Sequence, residues 1–335
     1  MTQLVRPAGP ADLAEVMTLA RLSGAGFTSL PEDEAVLAER LRLSQRSFAG
    51  AVDPGSAWYT LLLEDDDGDI AGIASVRARM GLSRPHLAFR LITLAQHSPA
   101  IATRFDHQAL VLVSECDGTT SVGSLFIRAD RRGGGAGRLL AAARYMLIGA
   151  DRTRFSDTVI AELRGWFEED GASPFWDGVG SRFYRLDFDA ADRMLTATDG
   201  RFVQDLAPRH PIYVSLIDDR AAWAIGRVHR HGEAALAMLE REGFARTGLI
   251  DLFDGGPVVS CPADRLDTLR RSRILRLDVG KVSDAPKRLI ATTGIDGFRA
   301  IFAVGQIAGD TLTVEPNIAE RLGLEEGTTI RVKES

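Results

Sequence analysis

The 335-residue sequence predicts an α/β protein built on a mixed (α+β) sheet, and three observations carry that prediction. An apolar run, SLFIRA, leads into the glycine-rich stretch RRGGGAGR from Arg131 to Arg138, and that stretch opens an apolar helical pattern, RLLAAARYMLIG. Two further strand-like runs precede the unit and one, TVIAELRG, follows it, so strands alternate with helix in an α/β order. Beyond residue 273, runs such as RILRLDVG and GTTIRVKE, punctuated by Gly, Asp and Pro, read as a strand-rich end.

Each element follows from local chemistry. Leu4 to Arg6 is a short strand that stops at Pro7, and Asp12 precedes a helix with Leu13, Val16, Met17 and Leu19 on one face. GAGFTSLPEDE reads as a loop, after which Glu34 begins a second helix with Val36, Leu37, Leu41 and Leu43 at helical spacing. Trp58 to Leu63 and Ile70 to Val76 form a hairpin around the acidic turn EDDDGD, read as a solvated turn because it lacks the later Glu of a calcium loop. ALVLVSE and SLFIRA are strands ahead of the glycine loop, and Thr158 to Gly165 is a buried strand after it. SPFWDGVGSRFYRLDF, from Ser173 to Phe188, reads as a short helix, a glycine and an aromatic-rich strand. EAALAMLEREGFARTGLIDLF, from Glu233 to Phe253, repeats that plan with a stronger helix ending at Gly243-Phe244. The repeat, about sixty residues on from Ser173 to Glu233, predicts a duplicated chain. The resulting division is residues 1–188, carrying the glycine loop, residues 189–272, and a strand-rich segment at residues 273–335 that forms a small β unit or completes the sheets, with one helical piece from Asn317 to Leu322.

Composition bounds the function. Apolar content of 45% and charged content of 26% are those of a globular chain, and the net charge of −6 argues against a nucleic-acid partner or an acidic membrane. No stretch approaches the roughly 20 apolar residues of a membrane span, and MTQLVRPAGP lacks the apolar region of a signal peptide, so a cytoplasmic protein is expected. Two distant cysteines, Cys116 and Cys261, give neither a disulfide framework nor a metal cluster. His229 and His231 lack further ligands at plausible spacing, so no metal and no permanently bound cofactor is expected.

The glycine loop carries the chemistry. Four of the five residues from Gly133 to Gly137 are glycine, between a strand and a helix N-terminus, where unpaired N–H groups and the helix dipole suit an anion such as phosphate. A Walker loop needs Gly-Lys-Ser/Thr, but Gly137 is followed by Arg138 and Leu139. The dinucleotide fingerprint needs a third glycine where Arg138 stands. Arg-x-x-Gly-x-Gly fits, with Arg132, Gly135 and Gly137, and Arg131, Gly134 and Ala136 give a looser copy one residue earlier.

That pattern resembles the pyrophosphate loop of the GNAT superfamily of acyl-CoA N-acyltransferases. GAGFTSLPEDEAVL, SLFIRADRRGGGAGRLL, VIAELRG, SPFWDGVGSRFY, His210-Pro211-Ile212-Tyr213, GRVH, LEREGF and IDLFDGGP are, in this order, similar to the arginine N-succinyltransferase family from the first strand to about Ser272. The resemblance implies a GNAT-like fold, duplicated, with C-terminal strands completing or exchanged between the halves. It implies transfer of succinyl from the co-substrate succinyl-CoA to the α-amino group of L-arginine, in a homo- or hetero-oligomer. It places the proton-donating histidine at His229 and a succinyl-CoA contact at Leu125, with Arg132, Gly135 and Gly137 on the pyrophosphate and Arg131 or Arg138 adding charge. Acyl transfer to an amine needs such an acid/base group. Cys116 as a nucleophile is set aside for direct transfer. For the guanidinium, Glu32, Asp33, Glu34, Glu162, Asp251 and Asp254 remain equal candidates, and for the succinyl carboxylate Arg164, Thr28 and Ser29. Ornithine or another amine as acceptor, or a non-catalytic CoA-binding subunit, are the alternative readings.

Overall fold

The computed structural model describes residues 3–24, 29–197 and 200–334. In chain order it contains β1 (Leu4–Pro7), α1 (Leu13–Ser23), α2 (Glu34–Phe48), the hairpin β2 (Trp58–Glu64) and β3 (Ile70–Arg77), and a long hairpin β4 (Ala88–Ser98) and β5 (Thr103–Val113). Then come β6 (Thr120–Ile127), α3 (Ala136–Ala150), β7 (Thr158–Glu162), α4 (Ser181–Tyr184), α5 (Phe188–Ala197), α6 (Arg201–Leu206), β8 (Ile212–Tyr213) and α7 (Asp219–Ala224). After these follow α8 (Glu233–Glu242), β9 (Ala245–Asp251), β10 (Pro257–Pro262), α9 (Asp267–Arg270), β11 (Ser272–Val279), β12 (Lys287–Thr292) and β13 (Ala300–Val304). The chain closes with β14 (Gln306–Ala308), β15 (Thr311–Val314), α10 (Pro316–Leu322) and β16 (Thr329–Lys333).

The described strands join one mixed sheet in the order β14-β15-β11-β16-β12-β13-β1-β2-β3-β6-β7-β10-β9-β4-β5-β8. The α/β expectation holds, as do the hairpin around the acidic turn and the strand, glycine loop, helix and strand of residues 120–162. Helix α3 is buried almost all round, Leu139, Leu140, Ala143, Met146 and Leu147 included, because it is sandwiched between the sheet and the α8–α9 segment. The C-terminal strands have a core of their own and also join the sheet. Leu275, Leu277, Ile290, Leu312, Ile330 and Val332 close a core of their own, and β13 pairs with β1 at Leu4↔Ile301 and Val5↔Ala300.

Three expectations need correction. Ser173–Phe188 forms no strand: a π-turn at Trp176–Gly180 runs into α4, and the chain continues into α5. Its aromatics explain this, since a strand would divide them between two faces. The helical turns instead stack Trp176 on Tyr184 at 5.5 Å and set it 4.5 Å from Phe253, in one core. The acidic turn is not simply solvated: Asp65 is 3% exposed, its Oδ1 accepts the N–H groups of Asp67 and Asp69, and its Oδ2 lies 2.7 Å from Arg131. Strand β4 and the outer half of β5 escape the sequence reading because the outer end of their eleven-pair ladder runs out into solvent, where polar residues such as Gln96, His97, Arg104 and Asp106 occupy it.

Candidate active site

The parallel ladder between β6 and β7 comprises two pairs, Thr120↔Val159 and Ser121↔Ile160. Beyond them the strands part, and a cleft of about 740 Å³ opens between Val122–Ile127 on one arm and Ala161–Arg164 on the other. A bulge shapes the first arm. The register shifts between Ile73↔Phe126 and Ser75↔Gly123, placing two residues of β6 against Ala74, and Ser124 takes a positive φ of 50°. A bulge of this kind removes one residue from the ladder and re-aims its neighbour, here Leu125, which lines the cleft. Ser124 is held by the Ser75 hydroxyl at 3.0 Å and by the carbonyl of Ser29 at 3.2 Å.

The glycine loop closes the end of that arm. Gly133, Gly134 and Gly135 have φ of 104°, 57° and 92°, a run that side chains with a Cβ rarely adopt, and Gly135 is the N-cap of α3. No atom lies within 4 Å of the position a Cβ would take at any of the three, so the conformation and not crowding demands glycine. The first-turn N–H groups of α3 have no partner within the helix and suit an anion. Arg132, Gly133, Gly137 and Arg138 line the cleft, and the Arg132 Nε donates to the Ile127 carbonyl at 3.2 Å. Arg131 serves elsewhere: its guanidinium is paired with Asp65 at 2.7 Å and Asp69 at 3.2 Å.

His229 enters from the other arm. The His229 N–H donates to the Arg164 carbonyl at 2.9 Å, and Val228 bridges Gly165, so the segment lies along the continuation of β7. The side chain is 8% exposed, and its Nδ1 accepts the His231 N–H at 3.2 Å. Burial above all, then the charge of Arg164 and the neighbouring His231 and Arg230, pushes its pKa down to about 4. A neutral imidazole whose Nδ1 accepts a hydrogen bond carries its proton on Nε2.

Beside it, Glu162 also lines the cleft and meets His86 Nε2 at 2.6 Å. Burial pushes the Glu162 carboxyl up, but the paired His86 outweighs it and the net shift is down; burial pushes His86 down, and Glu162 outweighs that, so both groups favour the ion pair. Asp251 and Asp254 lie behind, both pushed up by burial and by a neighbouring carboxylate. Asp254 spends its oxygens on the N–H groups of Gly165 and Gly256, and Asp251 accepts those of Phe253 and Asp254, so both build the turn after β9.

Of the residues singled out by sequence, Leu125, Arg132, Gly137 and His229 share the cleft, and Gly135 stands at its edge as a cap. Glu162 and Arg164 join them. Asp33 caps α2 through the Val36 N–H, and Ser29 lies by Ser124; Thr28 falls outside the described residues. Cys116 and Cys261 are buried, their thiols pushed up to about 12 and about 11 mainly by burial, which removes the thiolate a nucleophile requires. Among the described residues no group of three or more His, Cys, Asp or Glu is placed to hold a metal ion, and no helix is long and apolar enough to cross a membrane. Sequence reasoning missed His86, which reaches Glu162 across 76 residues, and the Ser124 bulge, whose only trace is a serine facing another serine on the neighbouring strand.

Comparison with known proteins shows the family. Residues 3–268 match the family model described as arginine N-succinyltransferase beta subunit, and residues 270–334 match that of its C-terminal domain. The arginine N-succinyltransferase subunit beta of Pseudomonas aeruginosa is 36% identical over 329 residues, covering 98% of this chain and 97% of the relative. The arginine N-succinyltransferase of Salmonella paratyphi B is 36% identical over 301 residues, 89% of this chain and 88% of the relative. The solved structure of arginine/ornithine succinyltransferase subunit AI from Pseudomonas aeruginosa superposes with a TM-score of 0.90 at 30% identity, covering 99% of this chain and 98% of that one. With residues 3–268 and 270–334 matching the two family models and a relative 36% identical over 98% of the chain, the chain belongs to the arginine N-succinyltransferase beta-subunit family.

Proposed function

We propose that this chain transfers succinyl from succinyl-CoA to the α-amino group of L-arginine, releasing CoA and N2-succinyl-L-arginine. The observation that carries the reading is a single cleft, in a chain of this family, lined both by Leu125 and Gly137 of the donor arm and by His229. On this reading residues 1–188 supply the donor site, residues 189–272 the histidine, and residues 273–335 complete the sheet. The reaction is placed in the cytoplasm, and the subunit names of the relatives support an oligomer, homo- or heteromeric.

The chemistry follows from the groups present. Once the ammonium proton has passed to solvent, the free amine attacks the thioester carbonyl carbon, a C–N bond forms and the C–S bond breaks; the second proton shed by the nitrogen is taken up by the departing sulfur, so CoA is released as its thiol. His229, neutral at pH 7, presents its Nε2–H as a donor to the carbonyl oxygen or the departing sulfur, as low-pKa imidazoles do elsewhere. Glu162, kept ionised by His86, is the acceptor-side carboxylate that holds the cationic amine before transfer. Leu125 and the loop of Arg132, Gly135 and Gly137 hold the pantetheine arm and pyrophosphate.

The test is CoA release by the purified chain with succinyl-CoA, comparing arginine, ornithine and lysine. Arginine-dependent release is expected, and none with any amine would remove the reading. Ornithine is the second acceptor to weigh, because the 30% identical solved structure carries that name as well.

A further inference from the structure

Among the described residues Arg164 forms no ion pair, and Asp254 acts on it only at longer range. Its Nε is buried without a hydrogen-bond partner, and of the arginines in that position, Arg79, Arg164, Arg321 and Arg331, it is the one that lines the cleft. Its guanidinium sits 4.3 Å from the centre of the Phe167 ring, and among the described residues no carboxylate forms an ion pair with it. The two nearby carboxylates are committed elsewhere. Asp254 accepts two backbone N–H groups at 2.7 and 2.9 Å, and Glu162 holds His86 at 2.6 Å. A guanidinium stays charged at any physiological pH, and leaving it half-buried without a counter-ion is costly unless an incoming ligand provides one. Its geometry matches a carboxylate through two parallel N–H donors. Its position selects which anion: the backbone of Arg164 is hydrogen-bonded to His229, so the guanidinium stands on the β7 arm at the reacting end, while the glycine loop serves phosphate from the β6 arm.

We infer that Arg164 is the carboxylate receptor of the cleft and a determinant of substrate specificity, a deduction that rests on the succinyl-transfer reading above. Two substrates bring a carboxylate to that place, the succinyl group through its free end and arginine through its α-carboxylate. Calorimetric affinities separate them without any need for turnover. The full-length wild type, Arg164→Leu and Arg164→Lys are titrated with succinyl-CoA, acetyl-CoA and CoA, and with arginine and agmatine, which lacks the α-carboxylate. A charge-assisted contact of this kind predicts a loss of roughly 10- to 100-fold in Arg164→Leu, partly restored in Arg164→Lys. A loss confined to succinyl-CoA assigns the donor carboxylate, and a loss confined to arginine assigns that of the acceptor; either supports the inference. A loss shared by CoA itself, or equal for a ligand and its decarboxylated counterpart, or no loss at all, overturns it. Retained CoA affinity shows that the variant is folded. Failure of the functional reading is seen separately, as absence of arginine-dependent CoA release by the wild type.

Discussion

At the scale of single residues, the sequence presents six histidines of equal standing, and only the family resemblance singles out His229. The physical reason for its distinction is long-range. It is docked on the Arg164 carbonyl 65 positions away, a contact that no sequence pattern reveals, and it is flanked by Arg164 and by its own neighbour Arg230. The same holds for Glu162, one of six candidate carboxylates until His86 and the cleft are seen beside it. His229→Ala should lower kcat by roughly 10²- to 10³-fold while CoA affinity stays within about twofold, and His229→Gln, which keeps an N–H donor, should lose less. Steady-state kinetics and calorimetry on the two variants check this, and equal losses would point to a role other than donation. The pH dependence has a definite sign. Because the folded-state pKa is pushed down to about 4 from an ordinary value near 6.5, the ring stays neutral throughout the physiological range. A kcat profile should therefore carry no inflection near 6.5 from His229, and its imidazole signals in NMR should move near pH 4. Acidification from about 6.5 toward 4 favours the unfolded chain, which takes up that proton first, and His229→Gln removes this contribution.

Whole elements were more legible than residues. The hairpin β2–β3, helix α3 and strand β7 stand where periodicity puts them because their apolar residues are buried, and the exposed glycine loop stands where its turn chemistry puts it. The aromatic segment at Trp176–Phe188 and the outer β4–β5 hairpin were not, since aromatics fit a strand or a tight helical turn equally well and an exposed ladder carries no apolar stripe. Within the loop, two glycines serve different ends and can be told apart by experiment. Gly135→Ala forces a Cβ onto a φ of 92° in open space, so it should cost about 1–2 kcal/mol of stability or relax the loop, and weaken CoA binding about tenfold. Gly137 lies inside α3 without a positive φ, and a Cβ there would meet Ile127 at an ordinary 3.9 Å. Gly137→Ala should thus leave the melting temperature unchanged or raised, through the better helix propensity of alanine, yet still weaken CoA binding if the proposed donor site brings the pyrophosphate against this turn. Thermal melts with CoA titrations decide it; parallel losses of stability and affinity in both variants would show that Gly137 too is conformational.

At the scale of the molecule, the C-terminal strands are more than a sheet extension. Residues 273–335 carry their own core, yet Leu289 of β12, Phe302 of β13 and Lys333 of β16 line the cleft, so the tail forms a wall of the site that the first two segments open. The acidic turn ties the same parts together, since Asp65 meets Arg131 of the glycine loop with its side chain and Arg321 of α10 with its carbonyl. The functional contact is at Phe302, whose ring centre lies 5.1 Å from the guanidinium of Arg138 at the start of α3. A cation held against an aromatic face is worth about 0.5–1 kcal/mol at an exposed site, and it also restricts where an otherwise free arginine can point. Phe302→Ala removes that restriction from a residue on β13 without touching the glycine loop or His229. CoA affinity should fall about three- to tenfold, while kcat at saturating donor stays near that of the wild type, because the proposed function puts the chemical step across the cleft on the β7 arm. Arg138→Ala should produce a similar loss, and the double variant little more than either alone, since the two act as one contact. Titrations of the three variants with CoA measure the coupling; additive losses would mean that Phe302 and Arg138 act independently and that the tail's wall is structural alone.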